Sequence, residues 1–226
     1  MNKRKLIYYG LYLRELLNFS WENRDIQEVF TRYYKTNFWG SPESLSGRGS
    51  SAVSTEILRP KLAELLRKRN IKSILDIPCG DYNWMKLLER EGVSYIGADV
   101  VAEMITENNR KYGDSNTEFL VADITKGPLP KVDLVLTRDC LVHLAYKDIA
   151  EAVRQIKASG STYLLTTSFS RWPKNLDIKT GHWRPINLSL PPFNFPEPIE
   201  MVFEALEDKG GALKDKSLNL YGIKDL

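Results

Sequence analysis

From residue 73 onward, short runs of apolar residues alternate with stretches of helical periodicity. Five runs have the length and composition of buried strands: 73–77, 95–100, 119–123, 132–137 and 162–168. Helical stretches lie between them at 84–91, 102–111 and 147–158, and a last strand candidate spans 218–223. Strands that alternate with helices form parallel sheets through right-handed crossovers. The pattern therefore predicts an α/β fold with a doubly wound, mostly parallel sheet.

Two regions lie outside this alternation. Residues 1–53 are expected to form a helical N-terminal extension and cap, and residues 54–226 the main domain, which opens with a helix at 56–69. A long irregular segment, 169–198, follows the fifth strand and is rich in Pro, Asn and Trp. Loops of this length in compact domains are functional or mobile, so this insertion, called the lid segment below, is predicted to lie on the substrate side.

Composition excludes several classes of protein. The 226 residues carry a formal net charge of only +3, which argues against a nucleic-acid partner. Cys79 and Cys140 are too few for a disulfide scaffold, and a reducing, cytoplasmic location is expected. The basic start Lys3–Lys5 and the apolar face that follows it predict a helix that packs on the protein or, alternatively, contacts the inner face of a membrane.

The ends of the first three predicted strands carry residues suited to a nucleoside. In an open parallel sheet, ligands bind outside the carboxyl ends of the strands. Gly80 permits a tight turn after the first strand, and Asp99, 19 residues further on, can accept hydrogen bonds from both hydroxyls of a ribose. Asp123 and the backbone N–H of Ile124 follow the third strand and can bind an adenine edge. Together they predict a nucleoside pocket.

In this order and spacing, Asp76–Gly80, Asp99 and Asp123 resemble the class I S-adenosylmethionine-dependent methyltransferases. The resemblance covers about residues 54–170 and implies a Rossmann-like methyltransferase fold with S-adenosyl-L-methionine as cofactor. Where that family usually carries further glycines, this chain has Pro78 and Tyr82. The cofactor-binding residues implied are Asp76, Pro78, Cys79, Gly80, Asp81, Trp84, Asp99, Val100, Asp123, Ile124 and Arg138.

A smaller bacterial group resembles the chain more closely. It shares the Pro-Cys-Gly-Asp turn, the Glu-Ser-x-Ser-Gly-x-Gly-Ser segment at 43–50 and the Trp-Arg-x-x-Asn-Leu segment at 183–188. These proteins look like tailoring enzymes of surface glycans. The resemblance implies a carbohydrate acceptor, free or carried on a nucleotide or lipid.

The end of the fourth strand predicts the catalytic groups. Methylation of an alcohol needs a proton acceptor, and Asp139 and His143 lie four residues apart, on one face of a helical turn. Either could accept the hydroxyl proton while the other orients it or a water, and we favour His143 as the general base with Asp139 orienting it. An Asn/Asp-Pro-Pro-aromatic motif, typical of amine methylation, does not follow this strand, and Leu190–Phe193 lacks its polar first residue.

The lid segment supplies the expected substrate contacts. Tryptophan faces suit the C–H face of a sugar, and Arg and His can bind hydroxyls or phosphate. The candidate residues are Trp172, His182, Trp183 and Arg184. Two alternatives remain open: methylation of another small molecule on the same core, and a catalytically silent nucleotide-binding module that mediates protein contacts. No cluster of ligands predicts a metal.

Overall fold

The computed structural model describes Gly10, Leu13 and residues 25–204 and 214–226. Four helices of this part are α1 (Ile26–Lys35), α2 (Leu58–Lys68), α3 (Ala102–Tyr112) and α4 (Tyr146–Ala158). The strands are β1 (Ser73–Asp76), β2 (Ser94–Asp99), β3 (Thr117–Val121), β4 (Leu134–Thr137), β5 (Tyr163–Phe169), β6 (Glu200–Phe203) and β7 (Lys216–Gly222). The predicted basic helix at the N-terminus lies outside the described residues.

The strands form one seven-stranded sheet in the order β3-β2-β1-β4-β5-β7-β6. Strands β1 to β5 are parallel, whereas β7 runs antiparallel to both β5 and β6. The sheet is therefore mixed, with one antiparallel hairpin at its edge, and the predicted doubly wound α/β fold is confirmed. The order of the strands reverses between β1 and β4, which is the place where ligands bind in such sheets.

Apolar side chains on the two faces of the sheet form two cores, because successive residues of a strand point to opposite faces. Ile74 packs with α2 on one face, and Leu75 packs with α4 on the other. Helix α2 buries the stripe that the sequence predicts, Leu58, Leu62, Leu65 and Leu66, with no more than 2% of any of these residues exposed.

Two local predictions were wrong. The predicted helix at 84–91 is only a short 3₁₀ turn, Met85–Leu87, because Leu88 already has an extended backbone with ψ of 127°. Strand β6 was missed because it is a four-residue edge strand with only Val202 buried, so its alternating pattern is weak in the sequence.

The lid segment is irregular but packs against the core on the α4 side of the sheet, called the second core below. Trp172, Ile186 and Leu188 are buried in that core. The side-chain amide of Asn175 donates to the carbonyls of Asn187 and Pro191, which ties the two halves of the segment together. Across the described ranges, none of the helices has the length and hydropathy needed to cross a bilayer.

Candidate active site

A cavity of about 430 Å³ opens at the carboxyl ends of β1 to β4. Its volume lies within the range of small-molecule sites in proteins, about 300–1,000 Å³. The walls come from the strand ends, from residues 26–50 of the N-terminal extension and from Phe169, Trp183 and Lys216. The N-terminal extension and the main domain therefore line the same cavity.

The loop after β1 has a shape that favours glycine at one position. Gly80 has a φ of +58°, in the left-handed region, and a Cβ atom there would lie 2.1 Å from Ser46 Oγ. Its backbone N–H donates to Asp99 Oδ2 at 3.2 Å. The absence of a side chain lets the backbone face the cavity while the 44–46 loop closes against it.

Asp76 and Asp99 are buried carboxyls with raised pKa values. Burial raises the pKa of Asp76 to about 7, although the hydroxyl of Tyr95, which donates to Oδ2 at 2.7 Å, and the charge of Arg138 oppose the shift. Burial raises the pKa of Asp99 to about 6, and hydrogen bonds from the backbone, including Val101 and Gly80, oppose it. A ligand that supplies hydrogen-bond donors or positive charge stabilises the charged form of such a buried carboxyl.

Asp123 lies at the end of β3 and lines the cavity. Its Oδ1 accepts hydrogen bonds from the backbone N–H and the hydroxyl of Thr125, at 2.9 and 2.7 Å. Its Oδ2 is buried, lies 3.2 Å from Lys126 Nζ and has no hydrogen-bond partner within the described structure. Besides the ion pair with Lys126, this oxygen has a further lone pair that a donor in the cavity can use.

All but one of the predicted cofactor residues line the cavity: Asp76, Pro78, Cys79, Gly80, Trp84, Asp99, Val100, Asp123, Ile124 and Arg138. The exception is Asp81, which is a correction. Its carboxylate accepts from Ser44 Oγ at 2.9 Å, from the Leu45 N–H at 2.7 Å and from Ser46 Oγ at 3.2 Å. Asp81 therefore holds the 44–46 loop over the cavity and does not line it.

Arg138 lines the cavity but its guanidinium is already engaged by protein groups. It donates to Glu204 Oε2 at 2.5 Å and to the Gly49 carbonyl at 3.0 Å, and it lies 5.2 Å from the centre of the Trp84 ring. Lys216 joins the same network, 3.2 Å from Glu204 and 2.6 Å from Asp139. These buried charges compensate one another, as buried ions require.

Asp139 and His143 both line the cavity, but they do not form the predicted dyad. Burial by itself would raise the pKa of Asp139. The positive charges of Lys216 and Arg138 outweigh burial and lower the pKa to about 2. The carboxylate pairs with Lys216, and within the described structure it has no hydrogen bond to His143. The prediction that Asp139 orients His143 was therefore wrong.

The carbonyl of His182 orients His143 instead. The Nδ1 atom of His143 lies 2.9 Å from that carbonyl oxygen. Since a carbonyl only accepts, Nδ1 carries the proton and the lone pair is on Nε2. Burial lowers the pKa of His143 to about 4, although the hydrogen bond that Nδ1–H donates to this carbonyl and the charge of Asp139 oppose the shift. The ring is therefore neutral at pH 7, with Nε2 able to accept a proton.

Only one of the four lid residues predicted to bind substrate lines the cavity, namely Trp183. Trp172 and Arg184 are 2% and 1% exposed and are buried in the body of the protein, which corrects both predictions. Trp172 packs in the second core, and Arg184 donates to backbone carbonyls. His182 contributes its main-chain carbonyl to the site, whereas its side chain is not part of the cavity wall.

Sequence reasoning missed the aromatic wall that the N-terminal extension contributes. Phe30, Tyr34 and Trp39 line the cavity, and the Trp39 ring centre lies 4.8 Å from that of His143. The Gly/Ser-rich segment at 43–50 was the available signal, since its residues 45–50 also line the cavity. Lys216 was missed too, because its strand follows the lid segment by many residues. The described residues contain no group of side chains arranged to hold a metal ion.

The sheet order and the cavity at the strand ends are those of a doubly wound α/β protein. Residues 74–159 match the family model described as "Methyltransferase domain". This match agrees with the predicted methyltransferase core over those residues, and the predicted Rossmann-like fold is confirmed. The buried Asp99, Oδ2 of Asp123 and the side-chain-free Gly80 fit the predicted cofactor, S-adenosyl-L-methionine.

Solved structures with the same fold include several methyltransferases. Magnesium protoporphyrin IX methyltransferase from Synechocystis PCC 6803, with bound SAM, is 12% identical with a TM-score of 0.62, over 90% of this chain and 99% of that one. The N-methyltransferase NodS from Bradyrhizobium japonicum WM9, in complex with S-adenosyl-L-homocysteine, is 16% identical with a TM-score of 0.62, over 84% and 97%. At such identities the likeness establishes the fold.

Other similar structures are longer. Human N-acetylserotonin methyltransferase, in complex with SAM, is 15% identical with a TM-score of 0.56, over 87% of this chain. The present chain spans 59% of the human protein and 55% of the methyltransferase SibL. No curated protein sequence matches the chain significantly.

Proposed function

We propose that the protein is an S-adenosylmethionine-dependent O-methyltransferase that acts on a sugar hydroxyl of a glycan or glycan precursor. The observation that carries the proposal is the state of His143, a neutral imidazole that lines the cavity with Nδ1–H donated to the protein. The free lone pair of Nε2 is the group that an alcohol needs as proton acceptor. An amine acceptor, already nucleophilic once neutral, needs no such base.

The strand ends would hold the cofactor. Asp99 is suited to the two ribose hydroxyls, because each of its oxygens has a lone pair left after its backbone hydrogen bond. Asp123 Oδ2 is suited to the amino group of adenine, and Asp76 to a positively charged amino group. When bound, S-adenosylmethionine supplies an electrophilic methyl group on a positively charged sulfur.

His143 would take the proton of the acceptor hydroxyl onto Nε2 as the oxygen becomes nucleophilic. The imidazolium formed in this way keeps its Nδ1–H bond to the His182 carbonyl, and Asp139 adds a favourable negative charge. The aromatic side chains around the ring, Phe30 and Trp39, exclude water from the reacting oxygen. The protein thus contributes alignment, proton removal and desolvation.

The walls near His143 support an acceptor with a ring. Trp39 and Trp183 lie on the N-terminal extension and on the lid segment, and both line the cavity. Indole faces stack on the C–H face of a sugar, which leaves its hydroxyls free to meet polar groups. The proposal therefore assigns Trp39 and Trp183, and not Trp172 or Arg184, to sugar binding.

A screen with isotopically labelled cofactor tests this function. The protein is incubated with S-adenosylmethionine carrying a CD₃ group and with nucleotide sugars, lipid-linked sugars and oligosaccharides. Mass spectrometry should find one CD₃ group on an oxygen of a sugar. Transfer to a nitrogen, or to no sugar at all, contradicts the proposal. S-adenosylhomocysteine binding without transfer to any acceptor would favour the silent nucleotide-binding module.

A second candidate function is O-methylation of a small aromatic alcohol. The aromatic side chains Phe30, Tyr34 and Phe169 also line the cavity, and they would stack on a planar ring as well as on a sugar. The same screen separates the two when phenols and catechols are included. Labelled phenols without labelled sugars would replace the first candidate by the second.

A further inference from the structure

The turn that carries His143 is held by a separate part of the chain. Four consecutive carbonyls, those of residues 141–144, accept hydrogen bonds from residues 181–184 of the lid segment. The Gly181 N–H donates to the His143 carbonyl at 2.8 Å, and the Arg184 N–H donates to the Val142 carbonyl at 3.1 Å. The short 3₁₀ turn Leu141–His143 therefore depends on the lid segment for its position.

The side chain of Arg184 supplies the remaining bonds. Its Nη1 donates to the Leu141 carbonyl at 2.7 Å and its Nη2 to the Leu144 carbonyl at 2.8 Å. Its Nε donates to the Leu176 carbonyl at 3.2 Å, and the guanidinium lies 5.7 Å from the centre of the Tyr146 ring. A planar fork with several donors suits three carbonyls at fixed positions, and a lysine ammonium does not reproduce this geometry. Arg184 is only 1% exposed and does not line the cavity.

This arrangement bears directly on the imidazole. His143 lies inside the stretch that Arg184 holds, and the carbonyl that fixes its tautomer belongs to His182, between Gly181 and Arg184 in the chain. The distance of 2.9 Å between Nδ1 and that carbonyl joins the two segments. If the segments shift, this hydrogen bond weakens and the neutral ring is free to carry its proton on Nε2 instead.

We propose that Arg184 is a positioning residue that clamps the 141–144 turn to the 181–184 segment and thereby keeps His143 in the tautomer with a free lone pair on Nε2. The effect of Arg184 on the tautomer of His143 does not depend on the proposed function. Only the effect of that tautomer on catalysis rests on the proposed function. Arg184 acts through His143 and touches neither the cavity nor an acceptor.

Nitrogen-15 NMR of the histidine side chains tests the proposal without an acceptor. The chain has only two histidines, so His182→Gln assigns the signals of His143. We expect one tautomer in the wild type, with the proton on Nδ1. In Arg184→Met and Arg184→Lys, a second set of signals, from rings with the proton on Nε2, should account for at least about one tenth of the population. If this tautomer makes up less than about one hundredth of the wild type, the free-energy difference between the tautomers changes by about 1.4 kcal/mol or more.

The control variant is Arg110→Lys, which changes an exposed arginine of α3 that pairs with Glu107. It should leave the His143 signals unchanged. The affinity for S-adenosylhomocysteine and the circular dichroism spectrum establish that each variant is folded. Arg184→Met loses every donor of the guanidinium, and if it does not fold, Arg184→Lys decides the test. A single Nδ1–H tautomer in a folded Arg184 variant overturns the proposal.

The charges around His143 give a second readout. Asp139, Lys216 and Arg184 all act on the ring, and the charge of Arg184 lowers its pKa. Arg184→Met should therefore titrate His143 at a higher pH than Arg184→Lys does. With a known acceptor, both variants should lower kcat about tenfold or more with little change in the KM for cofactor. A tautomer change without methyl transfer in the wild type would contradict the proposed function and leave the role of Arg184 intact.

Discussion

The cofactor half and the acceptor half of the cavity differ in how they are built and charged. The cofactor half comes from the ends of β1, β2 and β3, and its buried acids have raised pKa values, about 7 for Asp76 and about 6 for Asp99. The acceptor half joins the turn after β4 to the N-terminal extension and the lid segment. There the pKa values are lowered, to about 2 for Asp139 and about 4 for His143.

The contrast follows from what surrounds each group. Burial is the largest cause of the pKa shifts of Asp76, Asp99 and His143, and it favours the neutral form of each group. In the acceptor half Lys216 lies 2.6 Å from Asp139, and that cation holds the carboxylate charged in the absence of any ligand. The comparison suggests that ligand binding changes protonation in the first half and leaves it fixed in the second.

The largest expected effect tests the acceptor half. His143→Ala should lower single-turnover methyl transfer by about 10²–10⁴-fold and leave cofactor affinity nearly unchanged, because only the proton acceptor is removed. Because the pKa of His143 is about 4, its imidazole is neutral above about pH 5. The titration of His143 should therefore not change the wild-type rate above that pH. A quenched-flow assay across a pH series measures both.

His182→Gln provides the comparison for that experiment. It keeps the main-chain carbonyl that holds His143 and changes only the side chain, so its loss should stay within about tenfold. A near-normal rate in His143→Ala would remove the base from this position. A greater loss in His182→Gln than in His143→Ala would reverse the assignment of the two histidines.

The second effect concerns the pH dependence of stability, for which the two halves should have opposite signs. The native pKa of Asp76 is raised from 3.8 to about 7, so the native state binds a proton that the unfolded state has released. Its contribution to the free energy of unfolding is complete below pH 4 and is lost as the pH rises to 7. At about 1.4 kcal/mol per pKa unit, the loss is on the order of 3–4 kcal/mol.

Urea unfolding of the cofactor-free protein at several pH values measures this loss. Asp76→Asn should remove most of the decrease between pH 4 and 7, and the part due to Asp99 should remain. Asp139→Asn should instead change the pH dependence of stability at low pH. Because the pKa of Asp139 is lowered in the native state, its carboxylate stabilises the fold above pH 3.8, and this contribution is lost as the pH falls towards 2. Parallel curves for Asp76→Asn and the wild type would contradict the raised pKa.

The sequence predicted the cofactor half far better than the acceptor half, for a physical reason. Asp99 is the last residue of β2 and Asp123 lies two residues after β3, so recognising the strands was enough to bring them to one edge of the sheet. Trp39 and Lys216 reach the cavity from opposite parts of the chain, and no local pattern states such a contact. The sequence made Arg184 look like a ligand-binding residue. Its hydrogen-bond acceptors are main-chain carbonyls, and the sequence gives no sign of which carbonyls a side chain will meet.

The third effect measures the ribose contact of the cofactor half. Asp99→Asn should weaken S-adenosylhomocysteine binding about ten- to a hundredfold, on the order of 1.5–3 kcal/mol, because the charged acceptor of two hydroxyl donors is lost. The amide also sets a donor against the N–H groups of Gly80 and Val101. Isothermal titration calorimetry gives the affinity, with Glu118→Gln, an exposed change on β3, as control. Equal affinities in the two variants would remove Asp99 from the cofactor site.

The smallest effect concerns the contact between the two halves, where the 44–46 loop closes over Gly80. Gly80 and Gly160 have similar φ angles, +58° and +66°, but different surroundings. An added Cβ would lie 2.1 Å from Ser46 Oγ at Gly80, whereas the nearest atom at Gly160 is Lys131 Cδ at 4.0 Å. Alanine at either position should cost about 1–2 kcal/mol of stability, because both are in the left-handed region.

Only Gly80→Ala should also reach the cofactor site. Its Cβ displaces Ser46, whose hydroxyl donates to Asp81 Oδ1 and accepts from the Asp81 N–H, so the loop over the cavity loosens. We expect S-adenosylhomocysteine affinity to fall about three- to tenfold, the free energy of one or two hydrogen bonds, with no change in Gly160→Ala. Chemical denaturation and calorimetry on both variants separate the two costs. Equal cofactor affinities in the two folded variants would mean that the 44–46 loop packs beside the site without contributing to it.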